Sequence, residues 1–390
     1  MELLKRSRFL RKLAKIRTLS PAMVRRRLDD LAACTLDRYH FGKIYTRKDG
    51  LASRPRTYYF DVTNLCNLRC GMCYLRDVIN RKVEGGALTN EEFLHIIDRD
   101  RIRRVNLIGG EPFLRKDLPE LLEEFERRGV LCDAFTTNGT LVTEERASQL
   151  ARLVSLRLMS GITVSIDGPA PIHDRIRGKG AFDKAAEGLQ ILRDHLRRVG
   201  GDAEDHLVIN SVICAENHSE ADSVADIARQ LGVKNICLCH LMYTTPEDVE
   251  ETNAILGNRE PDIFQMHIAS EPGINVAALK ESLHRFRRKV ERYDIRAVIR
   301  PSVSEESIDQ IYSPGYAPRL RCVQPFFITR VGAGGKVYYC TFIRKEMGDL
   351  REGPLSEIWN SESFVRHRRM MVERGVFPIC KRCCKTYPAP

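Results

Sequence analysis

From Thr57 to Leu241 the sequence alternates six times between a short apolar run and a longer amphipathic one. The short runs are Thr57–Val62, Arg104–Ile108, Leu131–Thr136, Ile162–Ile166, Leu207–Cys214 and Asn235–Leu241. Their β-branched and aromatic residues, bounded by Gly, Asn, Asp and Pro, predict strands. Between them, Thr89-Asn-Glu-Glu92 has the form of a capping box opening a helix to about Arg99. Leu118–Arg128 closes on Gly129 and Ser219–Leu231 on Gly232, the usual left-handed stop; Thr143–Leu153 and a stretch within Gly180–Arg198 are also helical. Strand and helix in strict turn leave few solutions. The expected class is α/β, a parallel sheet with helices outside it and right-handed crossovers. Ligands of such sheets bind at the carboxyl ends of the strands, so chemistry is to be sought in the segments that follow each strand.

The first such segment is Asp61-Val-Thr-Asn-Leu-Cys66-Asn-Leu-Arg-Cys70-Gly-Met-Cys73-Tyr74. Three thiolates at C-x3-C-x2-C can hold three irons of a cubane [4Fe-4S] cluster, and no fourth cysteine follows, so one iron keeps an open position. The alternative is a zinc knuckle, but zinc sites pair two C-x2-C units or add His, and the loop has none. Gly109-Gly110-Glu111-Pro112 follows the second strand, where glycines let backbone approach a ligand. Asn138 follows the third. Thr163-Val-Ser165-Ile-Asp167-Gly-Pro ends the fourth, and Arg177 lies twelve residues beyond Ser165.

The C-x3-C-x2-C loop with this GGEP segment resembles the radical S-adenosylmethionine (radical SAM) superfamily. The resemblance covers residues 57–242 and implies a partial (β/α)6 barrel. It implies that Cys66, Cys70 and Cys73 are the catalytic cluster ligands and that the open iron takes the amino and carboxylate groups of S-adenosylmethionine. It further implies cofactor contacts from Gly109, Gly110, Glu111 and Pro112, and from Asn138, Ser165 and Arg177; Arg177 suits a carboxylate because its guanidinium pairs in bidentate fashion. Met72 stands where relatives often carry an aromatic residue against adenine, and a polarisable thioether can pack there too. Reduction by a one-electron donor such as flavodoxin or ferredoxin would then yield a 5′-deoxyadenosyl radical that abstracts hydrogen from a substrate.

The last seventy residues differ in character, with a Gly332-Ala-Gly-Gly335 turn between two strand-like runs. Cys322, Gly335-Lys-Val-Tyr-Tyr-Cys340 and Cys380-Lys-Arg-Cys383-Cys384 can supply four thiolates to a second cubane; the same four could hold zinc. With Ile358-Trp-Asn-Ser361 between them, the layout resembles the SPASM/twitch extension of radical SAM enzymes. That implies a small cysteine-rich module over 320–390 with one auxiliary [4Fe-4S] cluster on Cys322, Cys340, Cys380 and Cys383, Cys384 being a spare or substitute.

Cys237-Leu-Cys239-His240 ends the sixth strand, and alternation puts its two thiols on one face. They read as core thiols, with a hydrogen-donor role to a radical as the alternative. Cys34, Cys132 and Cys214 read as structural. Thirteen cysteines without a signal peptide suggest a reducing cytoplasm, and no apolar run approaches the ~20 residues that span a bilayer. Residues 1–48 hold 14 Lys and Arg against 4 Asp and Glu, in a chain of net charge +11. This 1–50 arm reads as basic amphipathic helix, packed on the body or lying on an anionic membrane surface at the inner face, with nucleic acid not expected. Residues 243–319 read as a connection over the barrel mouth: irregular to Ile274, helical over Asn275–Tyr293, a short strand at Arg296–Ile299, then a loop. The expected substrate is a small molecule such as a sugar, alcohol or lipid, with a peptide or protein as the alternative. The arm lacks the strands of the peptide-binding domain that peptide-modifying relatives often carry. A non-catalytic Fe-S or zinc scaffold bound to nucleic acid is a third reading, which the open-iron loop and the GGEP segment disfavour.

Overall fold

The computed structural model describes residues 44–46, 48–257, 266–313 and 315–388. Residues 1–50 and 51–390 are separate units. The amphipathic helix expected in the arm lies outside the described residues.

Six parallel strands form as expected: β1 (Thr57–Asp61), β2 (Arg104–Ile108), β3 (Leu131–Thr137), β4 (Ile162–Ser165), β5 (Leu207–Ile213) and β6 (Asn235–His240). The connecting helices are α1 (Asn90–Arg99), α2 (Leu118–Arg128), α3 (Glu144–Ser155), α4 (Ala170–Arg177), α5 (Ala181–Val199) and α6 (Ser223–Leu231). α1 starts at the capping box: the Thr89 hydroxyl accepts from Glu92 N at 3.2 Å, and the Glu92 carboxylate accepts from Thr89 N at 2.8 Å. α2 stops where Gly129 turns left-handed at φ 61°. α4 is an addition to the sequence reading. Eight residues around Asp174 and Arg175 carry too short an apolar pattern to announce a helix.

One face of the sheet meets the helices. Tyr58 and Phe60 of β1 are buried there, and the Phe60 ring lies 4.5 Å from Phe93 of α1, itself 6.0 Å from Phe125 of α2. Each such ring contributes roughly 1.5–3 kcal/mol by leaving water. The other face carries Tyr59, Asp61, Ser165, Asn210 and Cys237, an unusually polar set, which marks it as the chamber wall.

The segment after β6 is more ordered than its sequence suggests. A parallel pair, β7 (Tyr243–Thr244) and β8 (His267–Ile268), flanks α7 (Pro246–Leu256). The stretch reads as irregular because the buried face of α7 is polar, with Asp248 and Thr252 inside. After α8 (Val276–Arg292), β9 (Arg296–Arg300) extends the sheet beside β6 in parallel. A short helix, α9 (Glu305–Ile311), occupies what was expected to be loop.

Past the short strand β10 (Leu320–Arg321), the Gly332–Gly335 turn joins β11 (Ile328–Val331) to β12 (Lys336–Tyr338), as the sequence implies, and β13 (Glu346–Asp349) follows. These strands do not stand apart from the barrel. β11 pairs in parallel with β1, giving the order β13-β12-β11-β1-β2-β3-β4-β5-β6-β9. The open edge of β1 needs a partner for its backbone groups, and β11 supplies one. The last strand, β14 (Tyr387–Pro388), pairs antiparallel with β10.

Candidate active site

The loop after β1 is shaped by asparagines. Asn80, held at φ 58°, accepts from Cys66 N at 2.8 Å and donates to Cys66 O at 3.1 Å. Its own amide donates to Asn64 O at 2.9 Å. Asn138, at the end of β3, donates to Asn67 Oδ1 at 2.9 Å. Cys66, Cys70 and Cys73 come together on this loop, partly exposed. Burial pushes all three thiols above their ordinary pKa, Cys73 to about 11.

Gly109 and Gly110 have a reason beyond ligand approach. A Cβ on Gly109 would stand 2.3 Å from Thr63 O, and one on Gly110 2.0 Å from Leu65 O. The two glycines let the cysteine loop lie directly on the end of β2, where Gly110 N donates to Thr63 O at 2.9 Å and Glu111 N to Leu65 O at 2.7 Å. Glu111 is fully buried, and desolvation raises its pKa despite three donors. Those donors are Thr137 Oγ1 and Asn138 N, both at 2.7 Å, and Phe113 N at 3.2 Å. Both carboxylate oxygens are thus engaged within the protein. Pro112 is buried at the head of the short turn that follows.

At the end of β4, Asp167 holds Arg177. Arg177 Nε donates to Asp167 Oδ2 at 2.5 Å, and Asp167 Oδ1 accepts from Val212 N at 2.8 Å. Asn217, which no sequence motif singles out, donates to Asp167 O at 2.9 Å. Burial alone would depress the guanidinium's pKa, but Asp167 and the Cys70 and Cys73 sulfurs hold it above its ordinary value. Arg177 Nη1 lies 3.8 Å from Cys70 Sγ. Met72 packs on Ile172, Ile176 and Cys214, an apolar patch beside the loop. Ser165 shares a sheet row with Asn210 and Cys237.

The expected ligands of the second site also converge. Cys322, Cys340, Cys380 and Cys383 line one largely apolar cavity with Phe342, Ile343, Met371, Phe377 and Ile379. Cys384 does not line it, but its sulfur pairs with that of Cys383, and its charge bears on Cys322 and Cys383 as well as on Cys239. Burial pushes the Cys322 thiol to about 12. The cavity's floor is pinned from α7: Asp248 takes Lys381 at 2.5 Å and Arg382 at 3.5 Å, while Ile379 N donates to Thr252 Oγ1 at 3.1 Å. Among the described residues, no three His, Cys, Asp or Glu side chains converge as around a single metal ion. Four thiols spaced around one cavity suit a cubane, which takes each sulfur at a different iron.

Cys237 and Cys239 are half-buried on the chamber face, their sulfurs 3.6 Å apart, with Cys239 Sγ 3.7 Å from Asn210 Oδ1. His240 does not join them. It points to the opposite face, where Nδ1 meets the Tyr312 hydroxyl at 2.8 Å. Cys132 and Cys214 are buried, and Cys34 lies outside the described residues.

Comparison with known proteins bears on this arrangement directly. The model of the radical SAM superfamily matches residues 60–202, and that of the SPASM iron-sulfur cluster-binding domain matches residues 322–384. The chain belongs to the radical SAM superfamily and carries a SPASM domain. It is an enzyme of that class, using a [4Fe-4S] cluster and S-adenosylmethionine, with auxiliary iron–sulfur chemistry in the SPASM domain. The AdoMet-dependent heme synthase of Methanosarcina barkeri is 29% identical over 348 residues, 86% of this chain and 91% of that protein. Mycofactocin maturase MftC of Mycobacterium tuberculosis is 33% identical over 182 residues, 46% of this chain and 43% of the maturase. Among solved structures, Streptococcus suis SuiB bound to precursor peptide SuiA superposes with a TM-score of 0.58 at 14% identity, covering 90% of this chain and 75% of SuiB. That likeness speaks for the fold alone. Among the described residues no helix is long and apolar enough to cross a membrane.

Proposed function

We propose that this radical SAM enzyme acts on a small molecule, with Cys66, Cys70 and Cys73 holding the cluster that binds S-adenosylmethionine. The observation that carries the site assignment is the buried Asp167–Arg177 pair standing against Cys70, a fixed cation at the edge of the cysteine loop. A one-electron reductant and the bound cofactor supply the chemistry, homolysis of the sulfonium and hydrogen abstraction. The protein's residues do the rest. Arg177, oriented by Asp167, receives the cofactor carboxylate. Ser165, Asn138 and the Gly109–Pro112 backbone bound its polar parts, and Met72 with Ile172 and Ile176 offers an apolar bed for adenine. The Cys322/Cys340/Cys380/Cys383 site holds an auxiliary cluster that accepts the electron left on the substrate.

The small-molecule reading is supported by the unequal reach of the two relatives. The match to a heme synthase runs over 91% of that protein, whereas the match to mycofactocin maturase stops at 43%. The test is anaerobic. After reconstitution with iron and sulfide, about eight irons are expected, four per cubane, with 5′-deoxyadenosine formed from S-adenosylmethionine and dithionite. Deuterium-labelled cell extract is then split by ultrafiltration. Deuterium passing into 5′-deoxyadenosine from the filtrate supports a small molecule; transfer only from the retained fraction would mean a peptide or protein.

A further inference from the structure

Arg330 sits on β11 at 1% exposure, one strand from the start of the cysteine loop, and lines the cavity of Cys322, Cys340, Cys380 and Cys383. Its Nη2 pairs with Asp61 Oδ1. Its Nε and Nη1 find no hydrogen-bond partner although both are buried. Buried N–H groups of a charged side chain are rarely left so, because each loses water without a replacement. The same Asp61 also takes Arg344 Nη1 at 3.2 Å, so two guanidinium groups share one carboxylate and the spot is left net positive. The positive charge bears on the Cys340 sulfur. The Tyr74 phenol stands against the Arg330 guanidinium, and its ring meets that of Phe342 edge-on at 5.8 Å. Tyr74 follows Cys73 directly, so this small polar core separates the two cysteine sites.

We infer that Arg330 tunes the auxiliary site: its two unpaired N–H groups donate to the sulfurs of the cluster held there, and Asp61 fixes them in that direction. The inference rests on the reading that those four thiols hold a [4Fe-4S] cluster. A cubane on four thiolates carries net negative charge, and reduction adds one more electron. Donors and positive charge at its sulfurs stabilise the reduced form and raise its potential. An acceptor for an electron left on a substrate needs that bias.

The experiment uses the full chain with Cys66, Cys70 and Cys73 replaced by Ala, so that one cluster of about four irons remains, titrated electrochemically under EPR. Arg330→Met is expected to move the midpoint to more negative potential and Arg330→Lys to recover part of the shift. Asp61→Asn, which removes the counter-charge and leaves Arg330 in place, is expected to move it the other way. An unchanged midpoint in Arg330→Met with its iron intact overturns the inference. If Arg330→Met loads no iron, unchanged midpoints in both other variants overturn it, as does zinc in place of iron at this site. S-adenosylmethionine takes no part in the titration. Shifted potentials beside an intact chain that cleaves no cofactor would keep this inference and sink the proposed function.

Discussion

The two cysteine sites are built on opposite plans. Cys66, Cys70 and Cys73 share one eight-residue span, and their sulfurs are partly open to solvent. The loop that carries them is held by short local bonds: the Asn80 side chain to the Cys66 backbone, the Asn138 amide to the Asn67 side chain, and Glu111 N to Leu65 O. Cys322, Cys340, Cys380 and Cys383 are gathered from three segments spread over about sixty residues, into a cavity walled by Phe342, Phe377, Met371 and Ile379. A site that must admit a cofactor is made from local chain and kept open. A site that only moves electrons can be closed, and then its geometry depends on the packing of distant elements. On the proposed reading, Arg177 against Cys70 is where the first site receives the cofactor's carboxylate.

Breaking each site separately gives the largest expected effects. Replacing Cys66, Cys70 and Cys73 by Ala should abolish 5′-deoxyadenosine formation and remove about half the iron, measured by chromatography and an iron assay; retained cleavage would move the chemistry elsewhere. Replacing Cys322 and Cys340 should also remove about half the iron, yet leave cofactor cleavage largely intact while product formation is lost. Unchanged product would dismiss the auxiliary site from the reaction.

A smaller effect sharpens the comparison. Arg177→Met removes a charged hydrogen-bond donor, worth about 1.5–3 kcal/mol, so S-adenosylmethionine should bind roughly 10–100-fold more weakly at equal iron content. The variant also leaves buried Asp167 without its cation, a loss of about 3–5 kcal/mol when a buried pair is broken. Thermal unfolding should report that second effect without any cofactor. Unchanged cofactor affinity in a destabilised protein would make Arg177 a structural residue only.

The same contrast explains what could be read in the sequence. The first site was legible because its chemistry is local: three cysteines at fixed spacing, a GGEP turn, and Ser165 and Arg177 at the end of one strand. The four thiols of the second were legible by kind, but their wall was not. Arg330 and Asp61 are 269 residues apart, and nothing in either neighbourhood announces the pair. α7 escaped notice because its inward face is Asp248 and Thr252, which bind Lys381, Arg382 and Ile379 instead of filling a core. Its caps were present in the sequence, Thr245 before Pro246 and Gly257 after Leu256, and would have found it. β11 was legible as a strand. Its place against β1 was not, because an open sheet edge has no sequence of its own.

Asn80 offers the finest test. It touches no expected ligand sulfur, and its contribution is two hydrogen bonds to the Cys66 backbone from a left-handed conformation that Asn tolerates better than most residues. Asn80→Ala should therefore cost about 1 kcal/mol per lost bond, too little to unfold the chain but enough to loosen the one loop. The readout is the rate at which a chelator strips iron from the reconstituted protein, resolved into two phases by the Cys322/Cys340 and Cys66/Cys70/Cys73 variants. The first-site phase should quicken several-fold while the auxiliary phase stays as it was. If both phases quicken together, the two sites share one scaffold, and the division between an open local loop and a closed distant cavity does not hold. If neither moves, the loop is set by the Gly109–Gly110 contact with Thr63 and Leu65, and Asn80 follows that fold instead of imposing it.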